Sequence, residues 1–286
     1  MNILSIQSWV AYGHVGNAAA VFPLQRLGAE VWAVNTVQFS NHPGYGAWTG
    51  QLFTGAQLAA LIDGIAARGV LPRCDAVLTG YMGDAGIGAA ILDAVSRVRR
   101  ANPGAVYCCD PVIGDEGTGV YVRPGIPEFL RDHALPAADL ATPNLFELEQ
   151  LTGQGARTLA AAKQAIGRLQ AGMRAGGPRS VLVTSLRTDA TPADAIDMLA
   201  GEGGSFHLLR TKLLALSVNG AGDVLAALYL FHRLTTGSAA AALSAAGSSI
   251  HGVLRHTAAA GAREILTVAA QDEVVQPSVR FEAVEV

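Results

Sequence analysis

Six short, almost wholly apolar runs recur along this chain, most of them followed by a longer stretch with helical spacing, and that rhythm restricts the fold more than any other feature. The runs are Ile3–Gln7, Val31–Val37, Ala76–Thr79, Val106–Cys109, Leu140–Thr142 and Val181–Thr184. A strand that is apolar on both faces must be covered on both, so the runs predict a central, mainly parallel sheet between helical layers. Helical patterns fall at about Val15–Leu27, Ala56–Arg68, Ile87–Arg100, Asn144–Leu151 and Thr158–Ala175, then at Gly222–Leu234 and Ser238–His256, each read as a crossover between two strands. Ala195–Leu199 and Phe206–Arg210 flank Gly-Glu-Gly-Gly, a hairpin signal that predicts an antiparallel pair at one sheet edge. With no linker and no internal repeat, the expectation is one α/β domain over residues 1–286.

Charge narrows the partners. A formal net charge of −3 with only 15% charged residues supplies no basic footprint for nucleic acid and no polybasic face for a membrane, which leaves small molecules. The Ala-rich stretch from Ser238 to Ala260 is interrupted by Ser, His and Arg and reads as a packed helix rather than a membrane span. Cys74, Cys108 and Cys109 fit neither a disulfide framework nor zinc spacing, and they read as buried thiols of a reducing compartment. Met1–Gln7 lacks a basic n-region and a cleavage site, so the expected location is cytoplasmic.

Polar residues collect where the strands end, which is where an open α/β sheet binds ligands. Gln7-Ser8 through Gly13-His14 with Gly16-Asn17 is one cluster, and Asn35 through Gly46 is a second. Gly80-Tyr81-Met82-Gly83 and Cys109 through Gly119 are the third and fourth. Ser8 has no Gly-x-Ser-x-Gly elbow around it and reads as a hydrogen-bonding Ser rather than a nucleophile. His14 and His42 lack partners at metal spacing. Tyr81 and Trp48 suit packing, although a Tyr after a strand-end Gly also suits covering a flat ring.

Asn219-Gly220-Ala221-Gly222-Asp223 runs into the apolar segment Val224–Phe231 and sets a small-residue turn at a helix start. Backbone N–H groups there lack intrahelical partners and attract phosphate oxygens, and Gly220, Ala221 and Gly222 allow close approach. Asp223 suits two roles, a helix cap or a base that takes the proton of an attacking hydroxyl. No Gly-x-x-x-x-Gly-Lys-Ser/Thr loop occurs and no Gly-x-Gly-x-x-Gly follows the first strand, so the phosphate site is placed at this late turn. Phosphoryl transfer needs a divalent ion, and Mg2+ takes one or two carboxylates. Asp110 and Asp115, with Glu147 after Thr142-Pro143-Asn144, supply that number, although Asp110 ahead of Pro111 also reads as a turn residue.

Taken in order, Gln7-Ser8, Gly13-His-Val-Gly-Asn17, Asn35-Thr-Val-Gln-Phe-Ser-Asn-His42, Leu78-Thr-Gly-Tyr81, Cys109-Asp-Pro-Val112, Thr142-Pro-Asn144 and Gly220-Ala-Gly-Asp223 resemble pyridoxal kinase, a family of the ribokinase-like superfamily. The resemblance runs from Met1 to about Gln276, and the Asn35–His42 run is its most specific part. It implies a three-layer α/β/α fold, commonly a homodimer, and ATP-dependent phosphorylation of the 5′-hydroxymethyl group of pyridoxal, with pyridoxine and pyridoxamine as further substrates, in vitamin B6 salvage. It also implies Asp223 as general base and Gly220, Ala221 and Gly222 as the anion hole. Ser8 and Tyr81 would contact the pyridine ring, with Val15, Phe39, His42 and Pro43 around it. Asp110, Asp115, Thr142, Asn144 and Glu147 would sit by the phosphates and Mg2+, Thr184 and Ser185 by the nucleotide, and Ile113–Val122 would be a lid. A monovalent cation such as K+ stays open.

The chain departs from that pattern at Trp9, where the family commonly has His, at Pro43-Gly44, where Thr-x is usual, and at Thr184-Ser185, where some bacterial members have Lys. Two alternatives remain beside it. One is a kinase acting on hydroxymethylpyrimidine, whose anion-hole turn often carries Cys; the other is a carrier of pyridoxal phosphate.

Overall fold

The first strand shows how the sequence builds the sheet. Within Asn2–Val10, Ile3 packs into one buried layer while Leu4 and Ile6 pack into another, because successive strand residues point to opposite faces. The same alternation separates Ala76 and Leu78 from Val77, and Cys108 from Cys109. These runs look uniformly apolar because both faces are covered.

The computed structural model describes residues 1–286. Its strands are β1 (Asn2–Val10), β2 (Glu30–Phe39), β3 (Gly50–Leu52), β4 (Ala76–Thr79), β5 (Val106–Cys109), β6 (Gly114–Asp115), β7 (Gly119–Val120), β8 (Leu140–Ala141), β9 (Ser180–Leu186), β10 (Ala195–Glu202), β11 (Ser205–Lys212) and β12 (Val284–Glu285). The helices are α1 (Asn17–Arg26), α2 (Gly55–Ala66), α3 (Gly88–Ala101), α4 (Ile126–Phe129), α5 (Leu135–Ala137), α6 (Leu145–Thr152), α7 (Leu159–Gly172), α8 (Ala221–Thr236), α9 (Ala239–Ala259) and α10 (Gln271–Val275). One ten-stranded sheet has the order β12-β11-β10-β9-β8-β5-β4-β1-β2-β3, and β6 and β7 form a separate small hairpin. The six central strands from β9 to β2 run parallel, with antiparallel strands at both ends. Helices α2, α3, α6 and α7 cover one face and α1, α8, α9 and α10 the other, a mainly parallel sheet in a three-layer α/β/α fold.

Three sequence expectations need correction. The hairpin β10–β11 forms, but β12 pairs outside it, so β11 is not the edge. Helices α8 and α9 follow one another without an intervening strand, joined at Gly237 (φ 69°), and neither is a crossover on its own. Helices α6 and α7 likewise share one connection between β8 and β9. Strands β3, β6, β7 and β12 carry two or three residues each, too few to leave a periodic signal.

Two details of β1 position the site. The chain places β2 on one side of β1 and then returns to lay β4 on the other, which opens a crevice beyond the carboxyl ends of the strands. Near that end the register shifts, from Gln7 opposite Asn35 to Trp9 opposite Gln38. Because side chains alternate, the shift brings Val37 and Phe39 to the same side as Ser8 and Val10.

Candidate active site

Two cavities meet at the start of α8. The larger, of about 390 Å³, is lined by Ser8 and Val10 from β1, Val37 and Phe39 from β2, Tyr81 after β4, and Asn219, Gly220 and Asp223 from the turn, with Val15, His42, Pro43 and Gly44 around it. Val112, Asp115, Thr118 and Tyr121 close it from the segment carrying the β6–β7 hairpin. The smaller, of about 190 Å³, is lined by Ala221, Gly222 and Leu225 on the other side of the same turn, by Thr184 and Ser185 at β9, and by an apolar wall that includes Leu213, Leu214, Leu216, Ile250 and Leu254. A helix start therefore separates the cavities, with a carboxylate facing one and backbone N–H groups at the other.

The turn has this shape for local reasons. Gly220 is the residue before the helix, at φ 87°, and a Cβ there would lie 1.9 Å from the backbone oxygen of His14. Only glycine tolerates both conditions. The capping role considered for Asp223 does not hold: Gly220 caps α8 without a side-chain bond, and Asp223 is the third helical residue. Its carboxyl is pushed up to about 6 by burial, against the opposing pull of the backbone N–H groups of Gly16 and of Asp223 itself.

Asp110 and Glu147 are buried nearby. Burial holds the Asp110 carboxyl well above the usual carboxylate range, and the charges of Glu147 and Asp223 push the same way against the hydroxyl of Thr142, which donates to Asp110 Oδ1 at 2.7 Å. Burial also pushes Glu147 up, to about 7, while backbone N–H groups oppose it. Three carboxyl groups thus gather here, and burial disfavours the charged form of each.

The structure separates the sequence-predicted residues into groups. Ser8, Val15, Phe39, His42, Pro43, Tyr81, Gly220 and Asp223 converge on the larger cavity, and Thr184, Ser185, Ala221 and Gly222 on the smaller. Burial lowers the pKa of His42, with Glu264 opposing, so its ring is neutral, and its Nδ1 accepts from the Gly44 N–H at 3.1 Å. Trp9 does not line the cavity although its neighbours do.

Glu147 and Asn144 also shape the local structure beside Asp110. Glu147 Oε1 accepts from the N–H groups of Ile113 and Gly114 at 2.9 and 3.4 Å, and Oε2 from Asn144 N–H at 2.9 Å. Asn144 caps α6, accepting from Glu147 N–H and donating to the Gly114 carbonyl, so both ends of its side chain are used. No group of three or more His, Cys, Asp or Glu side chains is placed to hold a metal. Asp115 is exposed on the hairpin and accepts from Thr118 N–H at 2.7 Å.

The sequence placed Thr118 in its fourth polar cluster but did not single out Tyr121 or the wall from Leu213 to Leu216. Thr118 and Tyr121 lay inside the expected lid, whereas Leu213–Leu216, just ahead of the Asn219–Asp223 turn, reads as ordinary apolar sequence and left no signal of its own.

Comparison with known proteins agrees with this architecture. A sequence model of the family described as phosphomethylpyrimidine kinase matches residues 53–268. Pyridoxal kinase PdxY of Granulibacter bethesdensis is 65% identical over 283 residues, covering 99% of each chain. Pyridoxal kinase PdxY of Deinococcus radiodurans is 56% identical over 284 residues, covering 99% of this chain and 95% of its own. Among solved structures, the Leishmania donovani pyridoxal kinase in complex with ADP and pyridoxamine has a TM-score of 0.91 at 29% identity, covering 100% of this chain and 99% of that one. Pyridoxal kinase from Trypanosoma brucei has a TM-score of 0.87 at 27% identity, with the same coverage. At such identities over the full length of both chains, the protein belongs to the pyridoxal kinase family and is a kinase that transfers phosphate to an alcohol.

Proposed function

We propose that the protein uses ATP to phosphorylate the 5′-hydroxymethyl group of pyridoxal, and also accepts pyridoxine and pyridoxamine, with Asp223 as general base and Gly220, Ala221 and Gly222 as anion hole. Residues 1–286 act as one domain, in the cytoplasm and as a homodimer. The observation that carries the reading is the pair of cavities meeting at one helix start, with Asp223 lining the first and Ala221 and Gly222 the second.

The larger cavity takes the vitamer, with its apolar walls against the pyridine ring and Ser8 and the neutral His42 supplying hydrogen bonds. The smaller takes the nucleotide. A primary alcohol does not ionise near neutrality, so Asp223 accepts its proton late, as the new oxygen–phosphorus bond forms. A carboxyl raised to about 6 is a stronger base than an ordinary Asp and is still ionised at pH 7. The N–H groups that begin α8, aligned with its dipole, stabilise charge on the transferring phosphoryl.

The donor chemistry fits Mg2+ bound chiefly through phosphate oxygens and water, as this ion prefers. Asp110 is the carboxylate suited to it, because Thr142 engages Oδ1 alone, whereas Glu147 has both oxygens in backbone bonds and acts through its charge. When bound, the ion would neutralise phosphate charge and relieve the repulsion among Asp110, Glu147 and Asp223. The hairpin segment from Ile113 to Val122 covers the site and keeps water from the phosphoryl group.

An ADP-release assay with pyridoxal, pyridoxine, pyridoxamine and hydroxymethylpyrimidine tests the substrate. Turnover is expected with the three vitamers. Preference for hydroxymethylpyrimidine would overturn the assignment, and no turnover with any of them would favour a carrier.

A further inference from the structure

The loop that contributes His42, Pro43 and Gly44 to the larger cavity is shaped by its own local hydrogen bonds but buries little: Pro43 and Gly44 are exposed, and the 3-10 turn Pro43–Tyr45 buries none of its residues. Its position is set from a distant part of the chain. The Tyr45 hydroxyl donates to Glu264 Oε1 at 2.6 Å, and the other carboxylate oxygen, Oε2, accepts from the His14 N–H at 3.1 Å. The Arg263 guanidinium lies 4.9 Å from the centre of the Tyr45 ring, and the Tyr12 ring meets it edge-on at 6.1 Å.

His14 continues this chain of contacts to the phosphate turn. A Cβ on Gly13 would lie 2.3 Å from Glu264 Oε2, and a Cβ on Gly220 would lie 1.9 Å from the His14 oxygen, so the 13–14 segment is sandwiched between Glu264 and the start of α8. Gly44 faces Asn219 of the same turn, 3.9 Å from its projected Cβ to Asn219 Nδ2. One carboxylate therefore fixes the spacing between the His42–Tyr45 loop, the β1–α1 loop and the residue that begins the anion hole.

We infer that Glu264, through Tyr45 and His14, is a positioning residue that sets the height of the His42–Gly44 loop over the larger cavity and so determines how tightly the phosphate acceptor is held, without touching the nucleotide. This rests on the larger cavity being the acceptor's. The bond to Glu264 pushes the Tyr45 phenol up to about 12. A charge-assisted bond of this length is among the stronger polar contacts available to an open loop.

Tyr45→Phe removes only the hydroxyl and leaves the ring against Arg263 and Tyr12, so it tests the latch without threatening the fold; Glu264→Ala and the double variant complete the cycle. Steady-state kinetics with pyridoxal and ATP varied separately should show the KM for pyridoxal rising roughly tenfold in Tyr45→Phe, the scale expected for one lost bond to a charged group. The KM for ATP should be unchanged, and the double variant should fall short of the product of the single effects. Unchanged pyridoxal KM in Tyr45→Phe, or effects that multiply, would overturn the latch. A rise in the KM for ATP instead would overturn the assignment of the cavity itself.

Discussion

Asp223 is the residue on which the proposed chemistry rests, and burial raises its carboxyl. Its sequence context suited a cap as well as a base, and the structure removes the cap, since Gly220 occupies that position and Asp223 points into the larger cavity. The raised carboxyl has two consequences. Because the base must be ionised, kcat/KM for pyridoxal should fall as pH drops through about 6, and reach roughly a tenth of its plateau one pH unit lower. A pH–rate profile that stays flat to pH 5 would refute this. The stability effect has the opposite sense. Between the ordinary value of 3.8 and about 6 the folded state holds more protons at Asp223 than the unfolded chain, so this group's contribution falls as pH rises through that window and stays unfavourable above it. Asp223→Asn should therefore stabilise the protein at pH 8 by roughly 1 to 2 kcal/mol, discounted for the open side of the cavity, as read by denaturant unfolding. Ser8, His42 and Tyr81 were legible because polar residues at strand ends have few other reasons to cluster there. The capping box that Asn144 and Glu147 form was not read from the sequence, because it uses the same residue types as a phosphate or metal site.

At the scale of elements, the start of α8 joins two cavities that separate parts of the chain build. Helix α8 was plain from its apolar run, but the positive φ of Gly220 and its contact with His14 depend on the β1–α1 loop lying against it, and no local pattern encodes that. Gly220→Ala should be costly twice over. The strained backbone and the displaced His14 segment are expected to lower stability by roughly 1–3 kcal/mol. The shifted N–H groups should reduce kcat by at least about a hundredfold, on the scale of losing an oxyanion-hole donor. Thermal unfolding and steady-state kinetics on the same variant would check both, and wild-type kcat in a strained but folded Gly220→Ala protein would argue against the anion hole. The smaller cavity teaches the complementary lesson. Its wall at Leu213–Leu216 follows β11 as ordinary apolar sequence, and it acquires meaning only when α8 and α9 pack against it.

Across the whole molecule, the parallel core was readable because its strands are covered on both faces, whereas the short edge strands β3 and β12 depend on neighbours already in place. The order of the strands puts residues from β1, β2, β4 and β9 at one rim, with the segment after β5, and α8 is the element common to both cavities. The central claim is that this shared helix start moves a proton on one side and stabilises phosphate on the other. Its most direct test is ADP release by Asp223→Asn with pyridoxal and ATP, beside a measurement of ATP affinity. Loss of at least about a hundredfold in kcat with ATP affinity retained is the expected result for removing a general base. Near wild-type turnover would contradict it.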